Sequence, residues 1–289
     1  MQEPRIVLIT GASAGIGAAI ASRLASDGYR VYGTTRKLAN PAFLPDSYAM
    51  AQAVKTGNPI QYPPRFLELD VTKSESVEKC VKQVIQEAGR IDVLINNAGW
   101  GVFGAVEEVP LAMAEDLFQT IVFGSLRMIQ AVVPSMRERR SGLIINTSSI
   151  AARATVPFQT HYSAAKAALE AFSAGLRQEL RPFGVKVVSI EPGDVKTRFF
   201  ASTIREKADH TAYQPWSDLC WNYAGKMIEE APPPSVVSAK FAAVIGKRNP
   251  HPIYTCGKVL DRLAPTVFRF LPKRAELFCM RLFYGMGLK

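Results

Sequence analysis

The sequence predicts an α/β fold, a doubly wound parallel sheet with helices on both faces, on three observations. Short β-rich apolar runs alternate with segments of helical periodicity six times over residues 1–190. A glycine-rich turn, Gly11-Ala12-Ser13-Ala14-Gly15-Ile16-Gly17, lies between the first such run and the first helix. The chain has 289 residues, 48% hydrophobic and 21% charged, enough for one large core without disulfide or metal staples.

Taken in order, Arg5-Ile6-Val7-Leu8-Ile9-Thr10 is a continuous apolar run, the mark of a strand buried on both faces. Ala14 to Ala25 alternates small and apolar residues at helical spacing, and Asp27-Gly28 supplies its C-cap. Tyr29–Thr34 and Phe66–Val71 read as strands, Ser74–Ala88 as a helix, and Ile91–Ile95 as a fourth strand. Leu111–Met136 is a long helical stretch that Pro134 interrupts late. Gly142–Asn146 is a fifth strand, His161–Leu180 a helix, and Val185–Ile190 a sixth strand. Two segments break the rhythm. Residues 38–65 are Pro-rich and hold a short helix at most, over Asp46–Lys55. Residues 194–235 are rich in aromatics and end in Pro232-Pro233-Pro234, with no obvious strand or long amphipathic helix over 198–231. Neither a repeat nor a domain boundary is visible, so residues 1–289 form one domain, with a lid at about 194–235 and a basic, apolar C-terminal segment at about 259–289.

Charge is unevenly placed. The formal net charge is +10, yet residues 240–289 alone carry ten Lys+Arg against two Asp+Glu. That excess suits a solvated face, an anionic membrane surface or an acidic partner. No recognition motif accompanies it, which excludes nucleic acid. Cys80, Cys220, Cys256 and Cys279 have no paired spacing, so no metal site is expected and a reducing compartment is. No apolar run reaches a membrane span, and the N-terminus lacks the order of a signal peptide. The expected location is cytoplasmic, with membrane association through the C-terminal segment as an option.

The turn carries the first chemistry. Gly11, Gly15 and Gly17 allow positive φ and close approach of the backbone to a pyrophosphate, and the following helix N-terminus offers free N–H groups; Ser13, Ala14 and Ile16 complete the loop. Dinucleotide folds often place an acid after the second strand for the ribose 2′-hydroxyl. Here Gly33-Thr34-Thr35 is followed by Arg36-Lys37, which attract a 2′-phosphate and favour NADP(H). Further on, Tyr162 and Lys166 lie four residues apart on one helix face, where the ammonium should lower the phenol pKa. Ser149 precedes them after the fifth strand and can hold a carbonyl or alcohol oxygen. Aromatic and apolar residues flank these motifs, and Trp100, Phe103, Val156, Phe158, Phe199 and Phe200 are the candidate substrate wall.

Together these motifs resemble the short-chain dehydrogenase/reductase family over nearly the whole chain. The matching residues are Thr10 to Gly17, Asp70-Val71, Asn96-Asn97-Ala98-Gly99, Ser149, Tyr162 with Lys166, and Pro192-Gly193-Asp194-Val195-Lys196-Thr197. The resemblance implies a Rossmann-type sheet of about seven strands and NAD(P)-dependent carbonyl/alcohol chemistry, in the branch of 17β-hydroxysteroid, retinol and acyl-dihydroxyacetone-phosphate oxidoreductases. It assigns Tyr162 as general acid/base, Lys166 to the nicotinamide ribose and to Tyr162, and Ser149 to the substrate oxygen. Asp70 and Val71 would contact adenine; Asn97, Ala98 and Gly99, beside Asn96, would line the adenosine ribose and central sheet. Pro192, Gly193, Val195 and Thr197 would hold the nicotinamide end so that the pro-S hydride is delivered. A homodimer or homotetramer through the long helices is also implied. One departure stands out: the family's usual Asn, which carries a kink and a proton-relay water, is replaced by Ile121. Gln119 or Thr120 stands in for it, or the relay takes another route at a cost in rate, or the chemistry has drifted. Drifted chemistry, such as an isomerase or dehydratase, and a non-catalytic NADP(H) sensor are the rival readings.

Overall fold

The computed structural model describes residues 3–38, 60–206 and 212–287. The short helix expected over Asp46–Lys55 lies outside the described residues. Strands β1 (Ile6–Ile9), β2 (Arg30–Thr35), β3 (Arg65–Glu68), β4 (Val93–Asn96), β6 (Gly142–Thr147), β7 (Val185–Pro192) and β9 (Ile253–Cys256) form one parallel sheet in the order β3-β2-β1-β4-β6-β7-β9. β5 (Val102–Phe103) pairs in parallel with β8 (Ile204–Arg205) as a separate ribbon. The doubly wound expectation is met: the chain starts mid-sheet, runs outward to β3, then returns past β1 to build the other half.

Continuous apolar runs become central strands because both faces are covered. Val7, Leu8 and Ile9 of β1 and Val93, Leu94 and Ile95 of β4 are fully buried. On one side lie α2 (Ser74–Ala88), α4 (Gly124–Glu138) and α5 (Thr160–Leu180), which contribute Val77, Val84, Met128, Val132 and Leu180 to the core. On the other lie α1 (Gly15–Ser26) and, further along the chain, α7 (Pro234–Ile245), with Ile20, Leu24, Phe241 and Val244.

Several elements differ from the sequence reading. The long helical stretch is not interrupted at Pro134, which lies exposed on the solvent side of α4. The break lies earlier: α3 (Leu111–Phe118) passes into a π-turn over Gln119–Phe123 before α4 begins. Arg127 steadies that turn, donating to the Gln119 Oε1 at 2.8 Å and approaching its backbone oxygen at 3.5 Å. The third strand stops at Glu68, leaving Asp70 and Val71 in the turn that follows. The lid segment is not without helix. Pro215 opens α6 (Gln214–Glu229) at a position where a missing N–H costs nothing. Its Trp221 packs on Phe103 at 5.0 Å and Phe200 at 4.3 Å between ring centres. Tertiary packing of aromatics, rather than an amphipathic stripe, holds it helical. Helix α7 and strand β9 were not visible in the sequence.

The C-terminal segment forms α8 (Val259–Phe270), with Pro265 inside it rather than dividing it, and α9 (Lys273–Phe283) beyond Pro272. Its end packs against α6. Tyr223 of α6 meets Phe283 at 5.4 Å and Tyr284 at 5.8 Å, and the Cys220 thiol faces the Tyr284 carbonyl at 3.8 Å. By contrast Val259, Leu263, Val267 and Phe270, along one side of α8, are exposed, Phe270 to 80%.

Candidate active site

The site forms at the carboxyl edge of the sheet, where the ends of β1, β2, β4, β6 and β7 converge. Thr10 closes β1, and its hydroxyl accepts from the Asn97 N–H at 2.9 Å and the Ala98 N–H at 3.0 Å. The Asn97 amide returns two bonds, to the carbonyls of Thr10 at 3.1 Å and Gly11 at 3.0 Å. Asn97 is therefore a strut between the ends of β1 and β4, and Gly99 follows beside the Ile121 side chain. Gly11 and Gly15 have φ of 65° and 58°. A Cβ on Gly17 would come within 2.2 Å of the Gly11 carbonyl oxygen, so only glycine lets the helix start so close to the strand.

Ala14 is extended at the N-cap of α1 and offers no side-chain cap, which leaves the first-turn N–H groups of Gly15, Ile16 and Gly17 directed at an incoming anion, with Ser13 beside them. Thr197 closes over this turn from the far side, 3.6 Å from where a Gly15 Cβ would lie. Its segment is anchored by the Gly193 N–H donating to the Cys256 carbonyl at 2.7 Å and by buried Val195, just after Pro192 ends β7. Arg36 and Lys37 emerge exposed from the end of β2, whose Thr34 carbonyl accepts the Ala12 N–H at 2.9 Å. Arg36 also acts electrostatically on Asp70: burial alone raises that carboxyl, but bonds from the Thr72 hydroxyl and N–H, with Lys73 and Arg36, bring it below the usual range. Val71 lies beneath α4, in contact range of Gly124. A capless helix N-terminus, a glycine cradle and paired cations fit a phosphorylated dinucleotide.

Ser149, in extended conformation after β6, caps a short 3-10 turn over Ile150–Ala152, its Oγ accepting the Ala151 N–H at 3.1 Å. It also hydrogen-bonds Tyr162 near the start of α5. One turn on, Lys166 is buried and donates to the Thr147 carbonyl at 2.6 Å. The expectation that Lys166 lowers the tyrosine is not met in the protein alone. Burial pushes the Tyr162 phenol up to about 12, opposed by the Ser149 hydrogen bond. Burial likewise pulls Lys166 down to about 8, opposed by Glu170. The reason is geometric: the ammonium lies over the tyrosine ring, 5.6 Å from its centre, with a donor committed to Thr147. Tyr162 is thus held protonated at neutral pH, the form a general acid needs.

The expected wall residues divide. Phe199 stands against Tyr162, at 5.6 Å between ring centres, and Trp100 packs in the cluster around Ile121 and Tyr162. Phe103 and Phe200 are tied up with Trp221, the first of them fully buried. A cavity of about 560 Å³ is lined by Pro157, Phe158, Tyr213, Trp216 and Met286, among others. Of the six wall candidates it includes Phe158 alone, and Val156 lies just outside it in sequence. Phe158 has φ of 61°, a conformation that costs a bulky residue about 1–3 kcal/mol. Its carbonyl accepts the Gly104 N–H at 2.8 Å, so the β5 loop holds the ring in place. Met286 was missed in the sequence, because only the folded tail brings it there.

Ile121 sits in the π-turn, almost fully buried against Val102, Leu117 and Leu169. The kink therefore forms without the asparagine. Gln119 and Thr120 are both committed elsewhere, the first to Arg127, the second accepting from the Trp100 indole at 3.2 Å and donating to the Asp116 carbonyl. Neither stands in for an asparagine. Ile121→Asn should leave an amide without partners in an apolar cluster, lowering stability by about 1–3 kcal/mol without raising any turnover. Denaturant unfolding checks this, and a faster enzyme of unchanged stability would contradict it.

The comparisons agree with this geometry. Residues 5–208 match the family model described as short chain dehydrogenase. The chain is 35% identical over 291 residues to the 3-ketodihydrosphingosine reductase of Bacteroides thetaiotaomicron, covering 98% of this chain and 99% of that one. It is 36% identical over 259 residues to the 17-beta-hydroxysteroid dehydrogenase type 1 of Mus musculus, covering 86% and 72%. Among solved structures, the closed form of serine dehydrogenase complexed with NADP+ matches with a TM-score of 0.71 and 28% identity, over 88% of this chain and 95% of that one. With residues 5–208 matching the family model and a full-length relative at 35% identity, the chain belongs to the short-chain dehydrogenases/reductases, nicotinamide-dependent oxidoreductases.

Proposed function

We propose that the protein is an NADP(H)-preferring oxidoreductase that interconverts a carbonyl and an alcohol on a bulky hydrophobic substrate. The observation that carries this reading is the convergence of Ser149, Tyr162 and Lys166 beside an aromatic wall. Ser149 holds the substrate oxygen, and Tyr162 protonates it in reduction or takes its proton in oxidation. Lys166 holds the nicotinamide ribose. When bound, the nicotinamide supplies or accepts the hydride. Arg36 and Lys37, with no acid at the end of β2, support preference for the 2′-phosphate. The apolar cavity beside Phe158 and the full-length similarity to a ketosphingoid reductase make long-chain keto lipids the first substrates to test; steroids come second.

The same reading includes assembly and location. Exposed Leu111, Phe123 and Phe172 on the long helices support a homodimer or homotetramer. Val259, Leu263, Val267 and Phe270, spaced along one side of α8, give an apolar stripe within residues 240–289, which carry ten Lys+Arg against two Asp+Glu. That complements an anionic bilayer surface and makes a cytoplasmic protein peripherally membrane-bound.

Tyr162→Phe should lower kcat in NADPH-dependent ketone reduction by about 10²–10⁴-fold while NADPH still binds. Retained turnover sinks the acid/base assignment; binding without turnover in the unaltered protein across long-chain ketones and steroids favours a sensor, and conversion without net redox favours an isomerase or dehydratase. Arg36→Asp should raise the NADPH KM about tenfold or more and the NADH KM much less; equal effects remove the 2′-phosphate assignment. Sedimentation with phosphatidylcholine vesicles should require added phosphatidylserine and fall with salt and with Phe270→Asp. Absence of binding, or self-association through this face instead, retires the membrane reading.

A further inference from the structure

Behind the Ser149 loop lies a charged cluster that the catalytic reading leaves unused. Glu191 of β7 is completely closed to solvent. The Arg153 Nε, just past the Ser149 loop, is 2.7 Å from Glu191 Oε1 and 3.8 Å from a Glu170 carboxylate oxygen. The Ser148 hydroxyl, at the end of β6, donates to Glu170 at 2.8 Å. Glu170 belongs to α5, one turn beyond Lys166 on the same face. Three segments that carry the catalytic groups, the loop after β6, α5 and the end of β7, thus each send a side chain to one point.

One guanidinium facing two carboxyls leaves room for a proton. Burial, and then the Glu170 carboxylate, push Glu191 far above the usual carboxylate range, with Arg153 opposing. A raised Glu191 adds no second full negative charge at neutral pH beside Arg153 and Glu170. Lys166 needs such an anion, because burial drives it toward the neutral amine and Glu170 is the group that opposes this. The other groups facing Lys166 are Tyr162, which burial holds protonated, and the Thr147 carbonyl, a dipole without net charge.

We propose that Glu170, held by Ser148, Arg153 and Glu191, is a positioning residue that keeps the Lys166 ammonium charged for its work at the cofactor ribose. The inference rests on the assignment of Lys166 to that ribose. Loss of the anion makes the amine shed its proton at lower pH, so the alkaline decline in cofactor affinity moves toward neutrality.

The test measures NADPH dissociation constants by tryptophan fluorescence quenching across pH on the full chain, which needs no substrate, alongside kcat/KM for NADPH. The wild-type decline should have a midpoint near 8. Glu170→Gln should shift it to lower pH by about half a unit or more, and Glu170→Asp by less. Glu191→Gln, which keeps a hydrogen-bond donor, should leave the midpoint in place. Glu170→Gln and Glu170→Asp profiles that superimpose on wild type overturn the proposal, as does an equal shift from Glu191→Gln. Thermal unfolding of each variant separates a shifted profile from a collapsed fold. Lost turnover in Tyr162→Phe with the shift intact tells against neither assignment, whereas full turnover in Tyr162→Phe with the shift intact removes the acid/base reading alone.

Discussion

Lys166 donates to the Thr147 carbonyl at 2.6 Å from a position nearly closed to solvent, and the surrounding structure is arranged to tolerate that burial. An ammonium taken out of water is expensive unless acceptors and anions replace the lost hydration. Thr147 is the last residue of β6, so the bond fixes α5 against the sheet edge and brings Tyr162 toward Ser149. A second polar chain reinforces the docking. The Asn96 amide donates to Asn146 at 2.8 Å, Asn146 donates to the Ser173 hydroxyl at 2.8 Å, and Ser173 donates to the Leu169 carbonyl. Helix α5 is thereby tied across β6 to β4, whose next residue, Asn97, braces the glycine turn.

This continuity runs through the end of the site where the glycine turn lies. The glycine turn and Asn97 are joined by the Asn97 side-chain amide donating to the Thr10 and Gly11 carbonyls, and the Gly193 anchor is a backbone hydrogen bond at the sheet edge. The cavity beside it is lined differently: Phe158, Tyr213, Trp216 and Met286 come from a loop, a helix and the tail, and Phe158 meets Tyr213 edge to face at 6.4 Å between ring centres. The backbone of Phe158, at φ 61°, is the strained point of that lining.

Much of the fold was legible because its signals are local. The apolar runs of β1 and β4, the Gly11–Gly17 turn and the four-residue step from Tyr162 to Lys166 are each contained within a few residues. What the sequence hid depends on distant partners. Helix α6 owes its order to Trp221 and Tyr223 packing on other segments, and the π-turn to Arg127 reaching back to Gln119. Glu191 lies inside a strand where an apolar residue is the default, and its meaning appears only with Arg153 and Glu170 alongside. The sequence also misjudged the electrostatics of Tyr162, because helical spacing reports proximity to Lys166, whereas the phenol is set by desolvation opposed by the Ser149 hydrogen bond.

That competition between burial and charge is the centre of the account, and tyrosinate absorbance measures it. The ultraviolet difference between wild type and Tyr162→Phe, followed with rising pH in the absence of cofactor, isolates this phenol from the protein's other tyrosines. The structure predicts no tyrosinate from Tyr162 up to about pH 10, where exposed tyrosines begin to ionise, because burial places its midpoint at about 12. A difference signal that titrates near neutrality would show that Lys166 already governs Tyr162 in the free protein, and would contradict it.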